Sequence, residues 1–212
     1  MVIKMDKSLK AMETSVYKMG DKVIAQHELV CELIRNNDSD LALKIISSDD
    51  FINHMEEEIN DQAFSCIALL SPVATDLRRV IVAIKIAGDL ERIGDYAKNI
   101  AMYLIKHQPD DYIVDYAEQM MKYFLDMIKD VMKAYKSRDV DLAFSIPERD
   151  KNIDTLFNEL GTKLKNLDDI DRMKKIFSLT SMLRSIERSG DHTTNICEEV
   201  IYLIKGQHYD FG

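Results

Sequence analysis

The chain has 212 residues, 46% of them hydrophobic and 31% charged, with seven glycines, three prolines and no tryptophan. That length suits one ordinary domain or two small ones, and the composition is rich in helix formers and poor in turn residues. A formal net charge of −9 excludes a broad basic surface that tracks phosphate backbones, so nucleic acid is not an expected partner.

Cys31, Cys66 and Cys197 have neither metal-finger spacing nor the density of a disulfide framework, and they read as reduced core residues. The twelve methionines suit helical cores, where flexible thioethers fill irregular gaps. No stretch offers about 18 uninterrupted apolar residues, and the first residues lack an apolar run of signal-peptide length. The expectation is a cytoplasmic protein, neither exported nor spanning a membrane.

In chain order, apolar residues recur at helical spacing from Asp6 to Arg35, through Leu9, Met12, Val16, Met19, Val23, Leu29 or Val30, and Leu33. Residues 36–40, Asn-Asn-Asp-Ser-Asp, then supply turn and N-cap chemistry. A second helix is predicted from about Asp40 to Leu70, with Leu41, Ile45, Ile52, Met55, Ile59, Phe64 and Ile67 as its apolar positions. Ser71 and Pro72 have the form of an N-cap and first helical residue, so a third helix is expected from there to Lys106. Residues 107–111 break the pattern, and three more helical patterns follow over 115–137, 139–166 and 169–206.

A repeated word makes this plan a duplication. Residues 90–100 read LERIGDYAKNI and residues 186–196 read IERSGDHTTNI, with Glu91 and Glu187 standing 96 positions apart (187 minus 91). Both words fall in the third helix of their half. The predicted fold is all-α: two tandem three-helix bundles of six long antiparallel helices, related by an internal pseudo-twofold duplication, with domains at 1–108 and 109–212. The second helices align too, Asp49 with Asp150 and Asn53 with Asp154.

Within the word, Glu91 and Asp95 are four residues apart, as are Glu187 and Asp191, which puts each pair on one side of a helix, one turn apart. At 100° per residue, Leu90, Ile93, Gly94, Ala97, Ala101 and Leu104 make the buried stripe, and Glu91 and Asp95 flank it at the rim. Two carboxylates so placed repel, whereas a hard cation such as iron, manganese, magnesium or calcium would bind them. Asp150 and Asp154 have the same spacing, and an adjacent antiparallel helix brings Asp49 and Asp150/Asp154 beside the repeated words. A single pair is weak: with 37 acids, about six acid pairs four apart arise by chance, mostly on solvated faces. Repetition in the same word is what raises metal binding above that background.

Gly94 and Gly190 read as points of close helix approach, and Asn99 and Asn195 as bonds across helices. His27 and Cys31, four apart, read as core or surface residues in a long amphipathic helix. His54 and His192 point away from the acidic motifs. No nucleophile constellation, Gly-rich phosphate loop or HExxH is present, and the Glu-x-x-His pair of ferritin-like di-iron sites does not occur.

SPVATDLRRV leading into DLERIGDYAKNIA, with SIERSGDHTTNI near the end, resembles the PhoU family over almost the whole chain. The resemblance implies two three-helix bundles and a non-enzymatic, cytoplasmic regulator of bacterial and archaeal phosphate uptake and phosphate-starvation signalling. It implies peripheral attachment at the inner face of the membrane through the transporter. The implied partners are the ATPase subunit of the phosphate ABC transporter, a sensor histidine kinase and a second copy of the chain in a homodimer. It further implies surface metal clusters, multinuclear iron in some members, with zinc, manganese, magnesium or calcium as alternatives. Carried over by position, the metal residues are Glu91/Asp95, Asp49, Asp150/Asp154 and Glu187/Asp191. Asn53 departs from the pattern, since an amide is a poorer ligand for a hard ion, so the cluster near Glu187 is the one expected to be better occupied. Pro147 is expected to kink or restart the fifth helix. The alternative reading is a carboxylate-bridged metalloenzyme or metal store, and a third is a helical adaptor with solvated acids.

Overall fold

The computed structural model describes the backbone of residues 2–165 and 170–211 and the side chains of 3–163 and 179–211. The helices are α1 (Val2–Asn36), α2 (Ser39–Leu70), α3 (Ala74–Lys106), α4 (Asp111–Ser137), α5 (Val140–Ser145), α6 (Asp150–Lys165) and α7 (Ile170–Lys205), with a 3-10 turn at Pro147–Arg149. No strand occurs among the described residues. No helix among them is long and apolar enough to cross a membrane.

The first repeat is α1, α2 and α3, each packed on the other two; in the second, α4, α6 and α7 do the same, and α5 lies against α4 and α7. The repeats are joined along α3 and α7 and again where α1 meets α4. Every member of the predicted α3 stripe, Leu90, Ile93, Gly94, Ala97, Ala101 and Leu104, is buried. The buried apolar residues of both repeats form one contiguous cluster, with Met12, Met19, Met120, Met121 and Met127 inside it. Burial at about 25 cal/mol per Å² of apolar surface makes this shared interior the main source of stability.

Two local expectations change. Asp38 caps α2 as its sequence suggests, accepting from the N–H groups of Asp40 (2.9 Å) and Leu41 (3.4 Å). Ser71, however, does not start α3. It ends α2 in the left-handed region (φ 48°), donating its N–H to Ile67 O at 3.2 Å. Pro72 explains this, because its ring disfavours the right-handed helical conformation at the residue before it. Helix α3 then begins at Ala74, after Val73.

On α2 the buried stripe is Ala42, Ile45, Asp49, Ile52, Ile59, Ala63 and Cys66, and Phe64 is 65% exposed. Over 32 residues a 3.6-residue period drifts against simple spacing, which moves the inward positions from Phe64 and Ile67 to Ala63 and Cys66. The predicted fifth helix is broken, as Pro147 implies. Ile146 leads into the buried Pro147, the 3-10 turn follows, and Asp150 opens α6.

Candidate metal centre

The break at Pro147 places Asp150 in the first turn of α6, and Asp154 one turn later lies on the same face. Across from them, α7 presents Glu187 and Asp191. Oxygens of Asp154, Glu187 and Asp191 lie within 4.8 Å of one another. Asp150 sits deeper. Its Oδ2 accepts from Thr194 Oγ1 at 3.3 Å, and its Oδ1 is buried without a hydrogen-bond partner among the described residues. Glu187 Oε2 is also buried without a hydrogen bond, with Arg188 Nε 3.6 Å away.

Gly190 makes this approach possible. A Cβ there would overlap Asp150 Oδ1 and lie 3.1 Å from Ile153 Cδ1. The glycine read as a helix-packing residue is thus also what admits the deepest carboxylate of the cluster.

Burial raises all four carboxyl pKa values, and repulsion from neighbouring carboxylates adds to it at Asp150, Glu187 and Asp191. Asp150 reaches about 7, first through burial and then through Asp154 and Asp191, against the opposing Thr194 bond. Burial leads for Glu187, followed by Asp191. It leads again for Asp154 and Asp191, with Arg188 pulling Asp191 down. Oxygen donors at this spacing, two with orphaned atoms, fit a hard cation, which would relieve the repulsion that raises these values.

The first repeat does not reproduce the site. Asp49 is 0% exposed, and its Oδ2 accepts from Lys98 Nζ at 2.6 Å and from Asn53 Nδ2 at 3.5 Å. Lys98 occupies the repeat position of Thr194 (98 plus 96). Glu91 and Asp95 remain on α3 as predicted. Arg92 bridges them, Nε to Glu91 at 3.5 Å and Nη1 to Asp95 at 3.4 Å. Burial, then Asp95, raises the Glu91 pKa. Among the described residues, the first-repeat carboxylates do not converge as those of the second do. The ammonium on Asp49 and the amide at Asn53 set this group apart chemically from the carboxylates of the second repeat.

A PhoU-domain family model matches residues 16–104 and again 117–200. The chain belongs to the PhoU family. It is 34% identical to the phosphate-specific transport system accessory protein PhoU homolog of Clostridium acetobutylicum, over 98% of this chain and 97% of that one. It is 33% identical to the PhoU of Escherichia coli, over 95% and 85%. The crystal structure of PhoU from Pseudomonas aeruginosa superposes with a TM-score of 0.87 at 31% identity, covering 95% of this chain and 99% of that one. The Streptococcus pneumoniae phosphate transport system regulatory protein PhoU gives the same TM-score at 27% identity, with 98% and 100% covered.

Within this PhoU fold the remaining candidates resolve individually. His27 is fully buried, its Nε2 2.9 Å from Ile93 O and its ring against Phe124, and burial pushes its pKa down to about 4. It is a core residue. His54 is exposed beside Glu57 and Glu58, and His192 turns to Asp89 at 2.8 Å. Asn195 bonds across to Asp89 at 3.4 Å, whereas Asn99 is exposed and makes no such bond among the described residues. Arg79, Lys85 and Arg92 are each paired with an acid: Glu13, Glu199, and Glu91 with Asp95.

Spacing of acids alone does not single out Lys98 or Thr194. Comparing the two repeated words residue by residue at their offset of 96, which sets Lys98 against Thr194, would have found both.

Proposed function

We propose that the chain is a non-enzymatic accessory protein of phosphate uptake that restrains transport and starvation signalling when phosphate is plentiful. The reading rests on the full-length match to relatives named as phosphate-specific transport system accessory proteins. In this proposal the protein acts in the cytoplasm, at the inner face of the membrane, between the ATPase subunit of a phosphate ABC transporter and a sensor histidine kinase, as a homodimer. Deleting the gene and assaying secreted phosphatase under high phosphate tests the signalling role. Raised expression is expected, and unchanged expression overturns it.

The same proposal places a metal cluster on the second repeat alone, held by Asp154, Glu187 and Asp191 with Asp150 behind them. Iron, manganese, magnesium, calcium and zinc are the candidates, and the all-oxygen donor set favours the hard ions over zinc. An ion held there by Asp154, Glu187 and Asp191 would supply positive charge between α6 and α7, offsetting the repulsion among these carboxylates. Metal analysis of the purified protein against Glu187→Ala/Asp191→Ala is the test: the wild type should lose its metal on substitution, and equal substoichiometric content in both removes the site.

A further inference from the structure

A polar cleft runs between α3 and α7, away from the second-repeat cluster, with Glu56 of α2 at its edge. Its walls carry five carboxylates, Asp89, Glu198 and Glu199 among them, against only Lys85 and Arg92. Three further observations separate it from a merely solvated acidic face.

Glu199 is 9% exposed, and one of its oxygens, Oε2, has no hydrogen-bond partner among the described residues. The other accepts from Lys85 Nζ at 2.6 Å, and that lysine is 46% exposed in its side chain. Asp89 is held in place from α7, where His192 Nδ1 and Asn195 Nδ2 both reach its Oδ1. Lastly, Gly88 lines the cleft from the middle of α3, and a Cβ built there meets nothing within 4 Å. A mid-helix glycine is unfavourable, and no packing among the described residues requires it. It leaves the cleft a floor of bare backbone over which a flat group can slide.

We propose that this cleft receives an arginine side chain from a basic segment of a partner protein. The planar guanidinium matches a shallow floor at Gly88 and offers forked donors to the carboxylates of Asp89 and Glu199. Lys85 is the internal stand-in, an exposed ammonium resting on Glu199 until a better donor displaces it. Carboxylates contributed by three helices of the two repeats suit an extended segment rather than a single small cation. The inference does not depend on the metal cluster, whose ligands lie outside the cleft.

The test is fluorescence anisotropy of the full chain with a fluorescein-labelled hexa-arginine peptide at low salt. Gly88→Leu fills the floor without altering charge and removes a helix-weakening glycine, so it should leave the melting temperature unchanged or raised. Binding is expected to weaken at least fivefold in Gly88→Leu and in Glu198→Gln/Glu199→Gln. The exposed pair Glu57→Gln/Glu58→Gln, with the same loss of charge, should stay within twofold of wild type. Unchanged binding in Gly88→Leu, equal weakening in the Glu57/Glu58 control, or a hexa-lysine peptide binding as tightly with the same pattern each overturns the assignment in favour of a diffuse acidic surface.

Discussion

Tyr96 on α3 and His192 on α7 hold the same position in their repeats, and Tyr96 Oη lies 3.4 Å from His192 Nε2 with ring centroids 5.7 Å apart. The pseudo-twofold axis therefore passes between them. On one side of it lies the cluster of Glu187 and Asp191, on the other that of Glu91 and Asp95. The same backbone frame thus carries two chemically different groups of carboxylates.

Asp150 makes stability of the metal-free protein depend on pH. Its folded pKa of about 7 lies above its ordinary carboxyl value, so folding favours the proton. That contribution is complete below the unfolded value near 4 and is lost as pH rises through about 7. Metal-free Asp150→Asn is expected to melt above wild type at about pH 8, with the gap closing by about pH 5. A gap of equal size at both pH values would contradict the assignment.

Lys98 is the counter-charge of a fully buried carboxylate. Removing it in Lys98→Met strands Asp49 and is expected to cost about 2 to 4 kcal/mol, less than for a fully enclosed pair because the lysine is 33% exposed. Chemical denaturation measures this. Asp49→Asn/Lys98→Met should recover most of the loss, since both charges then leave together.

The first repeat should become a metal site by exchange of two residues. Asn53→Asp/Lys98→Thr gives it the residue types of Asp154 and Thr194, and metal analysis is expected to find additional bound metal that survives Asp154→Asn/Asp191→Asn. No gain in bound metal would show that the lysine and the amide are not what sets the repeats apart.

The two repeated glycines should respond unequally to a methyl group. At Gly94 a Cβ meets the Ile52 side chain at 3.0 to 3.1 Å, which can shift, so Gly94→Ala is expected within about 1 kcal/mol of wild type as helix propensity offsets crowding. At Gly190 it overlaps a carboxylate oxygen. Gly190→Ala is expected to cost about 1 to 3 kcal/mol and to lower metal content, both read on one preparation.

The helical plan was legible because long amphipathic helices write their core at a fixed period, and the α3 stripe from Leu90 to Leu104 is buried as that period requires. The helix ends were less so. Ser71 beside Pro72 fits two local rules, and the backbone restriction imposed by proline decided between them. The acids of the site were legible through repetition, but their inequivalence was visible only in part through Asn53. The decisive difference is a cation, Lys98, which a search for negative ligands passes over. The exposure of Phe64 was hidden for another reason: position along α2 fixes its direction only to within the drift of a long helix.

Two identical subunits related by an axis must use one sequence for both sides of every contact. Joining the repeats in one chain lifts that constraint, and Lys98 opposite Thr194 is its use. One half of the molecule carries its positive charge as a codon. On the proposed metal reading, the other half must borrow its charge from solution, which leaves a nearly symmetric scaffold with a single side that can report the ionic composition of its surroundings.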